Sequence, residues 1–114
     1  MAYCPKRGDL VWLNFTPQAG HEQSGRRPAF VISHTDYNRK VGLALACPIT
    51  NHKKGYPFEV DLPADVPVVG VVLVDQVRSL DWKIRQAALI AHPNPAFLTE
   101  VLSVLATLIE DAAV

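Results

Sequence analysis

Apolar residues fall in short blocks along most of the chain and take up helical spacing only near its end. Leu10-Val11-Trp12-Leu13-Asn14-Phe15 follows Gly8-Asp9 and is rich in β-formers, which predicts a first strand. Ala29 to Ser33 is nearly all apolar, as expected of a strand buried on both faces. His34 to Asn38 fits a helical turn with Thr35 or Asp36 as its cap. Leu43 to Thr50 predicts a third strand, with Pro48 implying an edge or a bend, and Thr50 stands where that strand stops. Phe58 to Leu62 alternates as a half-buried strand should, and the β-branched run Val68 to Val74 around Gly70 is the expected central strand. Ile84 to Ile90 fits either a short strand or a helical turn. Asn94-Pro95 then supplies an N-cap and a first-turn proline. After it Phe97, Leu98, Val101, Leu102, Leu105, Leu108 and Ile109 recur three and four apart, predicting an amphipathic helix. Val104 widens its apolar stripe, so the helix should pack on the sheet or at a subunit contact. Strands followed by one terminal helix make an α+β pattern: a small, curled, mostly antiparallel sheet plugged by a helix, in one domain across residues 1–114.

The connection from Thr16 to Pro28 breaks the rhythm. It is too long and too charged for a plain hairpin turn, and long loops inside compact domains usually bind or cover something. Gly20 and Gly25 bracket His21-Glu22-Gln23-Ser24. Pro28 pushes the preceding residue out of the helical region, so Arg27 should stand extended at the mouth of the next strand, its guanidinium on a rigid base.

Composition changes this picture little and charge changes it more. With 114 residues, 49% of them hydrophobic, the chain can bury a core without a staple. Cys4 and Cys47 lack metal-ligand spacing, no apolar signal segment follows Lys6-Arg7, and no run is long enough for a membrane span. Free thiols in a reducing cytoplasm, with no membrane partner, are therefore expected. The formal net charge is zero, which argues against a uniformly basic nucleic-acid binder. Residues 1–58 nevertheless hold eight basic and three acidic residues, and residues 59–114 the reverse, which suggests one positive face for an anion or acidic partner.

Five motifs in order, Gly8-Asp9-Leu10-Val11-Trp12, Gly20 to Pro28, Pro48-Ile49-Thr50, Lys54-Gly55-Tyr56-Pro57-Phe58-Glu59-Val60 and Asp75 to Trp82, resemble the MazF/PemK family of toxins from type II toxin–antitoxin modules. The resemblance implies an SH3-like β-barrel with a C-terminal helix and a homodimer. It also implies a metal-independent, cofactor-free endoribonuclease that cuts single-stranded RNA, often messenger RNA, at a short sequence, and a cognate antitoxin as partner. By motif match the arginine taken as catalytic falls on Arg27, the strand-closing threonine on Thr50 and the loop glutamate on Glu22, while Gln76 falls on a position expected to contact RNA. His21 stands where serine is common, and Arg26 precedes Arg27 where other residue types occur.

Metal-free RNA cleavage uses the substrate's own 2′-OH as nucleophile, leaving a 2′,3′-cyclic phosphate and a 5′-OH. The protein must take one proton, give another and offset charge on the phosphorane. Arg27 suits the last task, because its planar fork matches phosphate oxygens. Thr50 can donate to a non-bridging oxygen or to the leaving group. Two candidate bases remain open, Glu22 and His21, and Glu22 has the alternative of orienting Arg27. Gln76, Asn51, Lys53, Lys54, Arg78, Tyr56, His21 and Arg26 are the candidate RNA-binding residues, although for Tyr56, as for Trp12 and Trp82, core or dimer packing is the favoured reading. His34, His52 and His92 read as surface or turn residues. An antitoxin should fill the positive groove with an acidic, partly disordered segment. The alternative is a binding-only toxin of the same broad fold acting on DNA gyrase. Such toxins act through C-terminal residues, and the tail Leu108 to Val114 has no tryptophan-containing end.

Overall fold

In the computed structural model, which describes residues 3–15 and 25–111, strand and helix follow one another as β1 (Leu10–Asn14), β2 (Arg26–Val31), α1 (Thr35–Val41), β3 (Leu43–Thr50), β4 (Glu59–Asp61), β5 (Val71–Leu73), a 3-10 turn (Val74–Gln76), β6 (Arg78–Asp81), β7 (Ala88–Ala91) and α2 (Pro95–Ile109). All seven strands join one antiparallel sheet in the order β4-β5-β3-β2-β1-β7, with β6 also paired to β3. The sheet curls as expected of an SH3-like barrel but does not close among the described residues, since β4 and β7 remain edges.

Several expectations need correcting. Strand β2 starts at Arg26, so Arg26, Arg27 and Pro28 lie in the ladder, with Pro28 opposite Trp12. The central strand is β3; the Val68–Val74 run yields only the three-residue β5, because Gly70 at φ 140° interrupts it. Pro48 causes no edge, being paired with Ala29 inside the sheet. Helix α1 takes His34 as its N-cap with no side-chain bond, while the Thr35 hydroxyl instead accepts from the Arg7 amide. The Ile84–Ile90 segment resolves as a turn leading into β7, and Arg78–Asp81 is a strand that periodicity did not disclose.

Alternation along the strands divides the core in two. On one face Leu10, Phe30, Ile32, Cys47, Ile49, Val60 and Val72 pack with Phe97 and Val101 of α2. The other gathers Val11, Leu13, Ala29, Val31, Ala44, Ala46, Leu80 and Trp82. Helix α2 begins as its sequence says: the Asn94 side chain accepts from the Phe97 amide at 3.0 Å, and Pro95 occupies the first turn. Phe97 then meets Phe30 edge to face, centroids 4.9 Å apart.

Two polar groups are buried with their partners. Asn38, at 0% exposure, donates to the carbonyls of Pro5 (2.9 Å) and Ser33 (3.3 Å), accepts from the Ser33 hydroxyl, and offers its own carbonyl to the Trp82 indole N–H at 2.9 Å. Asp9 accepts from the Tyr3 hydroxyl, from the Lys6 amide at 3.0 Å and from His92 Nδ1 at 2.7 Å. His92 is thus a largely exposed ring anchored to a buried carboxylate rather than a plain turn residue.

Cys4 and Cys47 are both free thiols. Burial, with a smaller contribution from the Asp75 charge, pushes the Cys47 thiol up to about 12. The folded thiol holds its proton more tightly than the unfolded one, so its share of stability is complete below the unfolded value and is lost as pH rises toward the folded one. Unfolding free energy should accordingly fall more steeply between about pH 9 and 11 in the wild type than in Cys47→Ala; equal slopes in denaturant titrations would contradict the assignment. Phe97→Ala removes the ring that fastens α2 and should cost about 3–5 kcal/mol by urea unfolding.

Candidate active site

Strand β3 ends at Thr50, and two open clefts meet there. One, of about 430 Å³, is lined by Trp12, Arg26, Arg27 and Pro28 from β1 and β2, by Ile49, Thr50, Asn51 and His52, and by Pro67, Val68 and Val69. The other, of about 370 Å³, is lined by Thr50, His52, Lys54, Tyr56, Glu59, Leu73, Asp75 and Gln76. Thr50 and His52 are common to both.

Arg27 is the second residue of β2, opposite Leu13 in an antiparallel ladder, so its backbone is fixed on both sides of the side chain by pairing and by Pro28. Thr50 is held differently. Its hydroxyl oxygen accepts the His52 amide at 3.1 Å, a turn that commits one lone pair and leaves the hydroxyl proton to be donated. Behind it, Gly70 approaches so closely that an added Cβ would lie 2.4 Å from the Thr50 carbonyl oxygen and 3.0 Å from its carbon. With φ at 140°, where L side chains rarely sit, only glycine fits.

The remaining expected RNA ligands divide. Asn51 lines the first cleft; Lys54, Tyr56 (58% exposed) and Gln76 line the second. Arg26 reaches the first cleft but its guanidinium is committed to Asn14 Oδ1 at 3.0 Å and the Gln86 carbonyl at 2.9 Å, which makes it a brace between β1, β2 and the turn before β7. Lys53 pairs with Asp61 at 3.0 Å, and Arg78 stacks over Phe15 at 5.4 Å; neither lines either cleft. His21 and Glu22 lie outside the described residues. Trp82 is core, while Trp12 is half-buried and walls the first cleft.

Sequence reasoning missed His52, which it set aside as a turn residue, and the carboxylates of the second cleft. The available signal was the spacing: His52 is two residues beyond the strand-ending threonine, the distance over which a threonine hydroxyl captures a backbone amide. Glu59 was legible as a strand residue and as a member of the Lys54 to Val60 motif, with no role attached, yet its carboxylate accepts from the amides of Lys54 (3.1 Å) and Gly55 (2.8 Å) and shapes the turn there. Among the described residues the first cleft carries two arginines and no carboxylate, a setting for phosphate. The second mixes Lys54 and Gln76 with Glu59 and Asp75, donors and acceptors suited to the edges of an unstacked base.

Gly70→Ala must displace either the end of β3 or the start of β5, and should destabilise the chain by about 1–3 kcal/mol in urea. A variant as stable as the wild type would show that the strand end yields freely.

A family model described as PemK-like, MazF-like toxin of type II toxin-antitoxin system matches residues 6–109. The chain is 49% identical over 85 residues to an endoribonuclease toxin MazF of Escherichia coli (strain K12), covering 75% of this chain and 76% of the relative. It is 39% identical over 110 residues to the endoribonuclease toxin ChpB of the same strain, covering 92% and 94%. Among solved structures, MazF from Deinococcus radiodurans superposes with a TM-score of 0.85 at 56% identity, over 96% of this chain and 99% of that one. The MazE-MazF structure (Form-II) from the same organism gives 0.85 at 49% identity, again over 96% and 99%.

Proposed function

The chain belongs to the PemK-like, MazF-like toxins of type II toxin–antitoxin systems, and from that membership we propose that it is an endoribonuclease whose reacting phosphate sits between Arg27 and Thr50. The observation that carries the assignment is that β2 and β3 deliver these two side chains to one cleft that holds no carboxylate among its described residues. A phosphodiester there meets a planar cation and a hydroxyl donor, while its own 2′-OH supplies the nucleophile.

In the proposed reaction the 2′-oxygen attacks phosphorus in line, its proton passing to a base. Glu22 is the assigned acceptor and His21 its rival. The bond from phosphorus to the 5′-oxygen breaks, leaving a 2′,3′-cyclic phosphate on one fragment and, once the oxygen is protonated, a 5′-OH on the other. Arg27 offsets the charge that grows on the non-bridging oxygens, and the Thr50 hydroxyl donates to one of them. The neighbouring nucleotide is read in the second cleft by Gln76, Lys54 and Tyr56, the last offering a face for stacking.

The chain acts, on this reading, as one toxin domain over residues 1–114, as a homodimer, in the cytoplasm, on single-stranded RNA. Its cognate antitoxin is a protein that lays an acidic segment over the arginine-bearing cleft, as charge complementarity requires. Relatives solved as MazE-MazF structures support such a partner. No helix among the described residues is long and apolar enough to cross a membrane.

Incubated with a long single-stranded RNA in excess EDTA, the protein should yield discrete fragments bearing 5′-OH ends, and Arg27→Ala should cut at least about a hundredfold more slowly. Dependence on added metal, or an Arg27→Ala protein of undiminished rate, would overturn the assignment.

A further inference from the structure

The leaving 5′-oxygen needs a proton, and neither Arg27 nor Thr50 supplies it readily. A guanidinium ordinarily stays protonated above about pH 12, and a threonine hydroxyl is a weaker acid still. We propose that His52 is the general acid that protonates this oxygen. The inference rests on the placement of the phosphate between Arg27 and Thr50.

Position is the first argument. His52 and Thr50 are the two residues that line both clefts, so His52 stands at the junction between them. It is also tied to Thr50: the His52 amide donates to the Thr50 hydroxyl oxygen at 3.1 Å, which fixes the backbone that carries the ring relative to the donor on the phosphate. The residue is exposed, so its ring is open to substrate.

Chemistry is the second. The charged or titratable side chains that face His52 across the two clefts are Arg26, Arg27, Lys54, Tyr56, Glu59 and Asp75. Of the side-chain types present there, imidazole is the one whose chemistry suits it both to give and to take a proton in a reaction run near neutrality. The other described histidines are engaged elsewhere. His34 faces Arg7 at 3.4 Å, and His92 is anchored on Asp9. In the step itself the imidazolium gives its proton to the 5′-oxygen as the phosphorus–oxygen bond breaks and is left neutral. The 2′-OH proton has already gone to the separate base, so one proton enters and one leaves.

The test uses two RNA oligonucleotides that share one cleavage site, one natural and one with sulfur in place of the bridging 5′-oxygen. A thiolate leaves without protonation. Single-turnover rates of the folded, full-length protein are compared in wild type, His52→Gln and Arg27→Ala, each checked for an unchanged thermal transition. His52→Gln should lose about a hundredfold or more on the natural bond, and less than about threefold on the sulfur-bridged one, within the span expected of general acid catalysis. The alkaline limb of the wild-type pH–rate profile should disappear with it. Equal losses on both substrates, or none on the natural one, would overturn the role of His52. Undiminished cleavage by Arg27→Ala would instead overturn the phosphate assignment on which it rests.

Discussion

Every backbone group of β3 that is buried needs a partner, and this strand is long enough that no single neighbour can supply them. It is paired with β2 through Ala46, Cys47 and Pro48, with β6 through Leu43 to Ala46, and with β5 through Ile49 and Thr50. Unpaired amides in the core would each cost about 1–3 kcal/mol, so the three pairings are obligatory rather than incidental. The change of partner from β6 to β5 lets the sheet curl, and it leaves Thr50 at a strand end where ladder pairing stops and open clefts begin. The site therefore inherits its rigidity from the sheet without being buried in it.

Two further constraints locate Thr50 and Arg27. Gly70 allows β5 to close against the Thr50 carbonyl, and any side chain there would push against backbone, which has no rotamer to escape into. Arg26 does the corresponding work for β2. By bonding Asn14 and Gln86 it locks the start of the strand on which Arg27 stands, and Arg85 adds bonds to the carbonyls of Asn14 and Phe15 at 3.1 and 3.0 Å. Adjacent arginines thus have opposite uses, one turned to the protein and one to the cleft. Loss of the brace would act on catalysis only through geometry.

Much of this was legible in the sequence where one physical preference dominated. Helix α2 could be read from its cap and apolar spacing, and the bounds of β3, Leu43 to Thr50, from its apolar run, because local preference and tertiary burial agree there. Legibility failed where the two diverge. Val68 to Val74 has the strongest β-branched composition in the chain, yet Val69 is 79% exposed on the cleft rim, since Gly70 must serve the approach to Thr50 before it serves a strand. Arg78 to Asp81 carries three polar residues and pairs only because β3 needs a partner, a demand no local pattern expresses. Arg27 and Thr50 emerged from motif order. The commitment of Arg26, the pairing of Lys53 with Asp61 and the central place of His52 required coordinates, because each depends on residues distant in sequence or on the direction of a turn.

The proposed division of the site into two clefts would let a protein with no net charge handle a polyanion. A uniformly basic surface would hold nucleic acid by its phosphates alone and in any register. Here Arg27, braced by Arg26, stands in the cleft proposed for one phosphate, while the neighbouring cleft offers both donors and acceptors and has Tyr56 in its lining. With the phosphate proposed between Arg27 and Thr50, a wrong base in the second cleft would leave Asp75 or Gln76 facing unmatched groups and would shift that phosphate. Displacement of that order is enough to lose most of the rate that orientation confers. On that proposal specificity would be enforced at the chemical step, because Thr50, fixed by the sheet, borders both clefts and ties the placing of the phosphate to the filling of the base cleft.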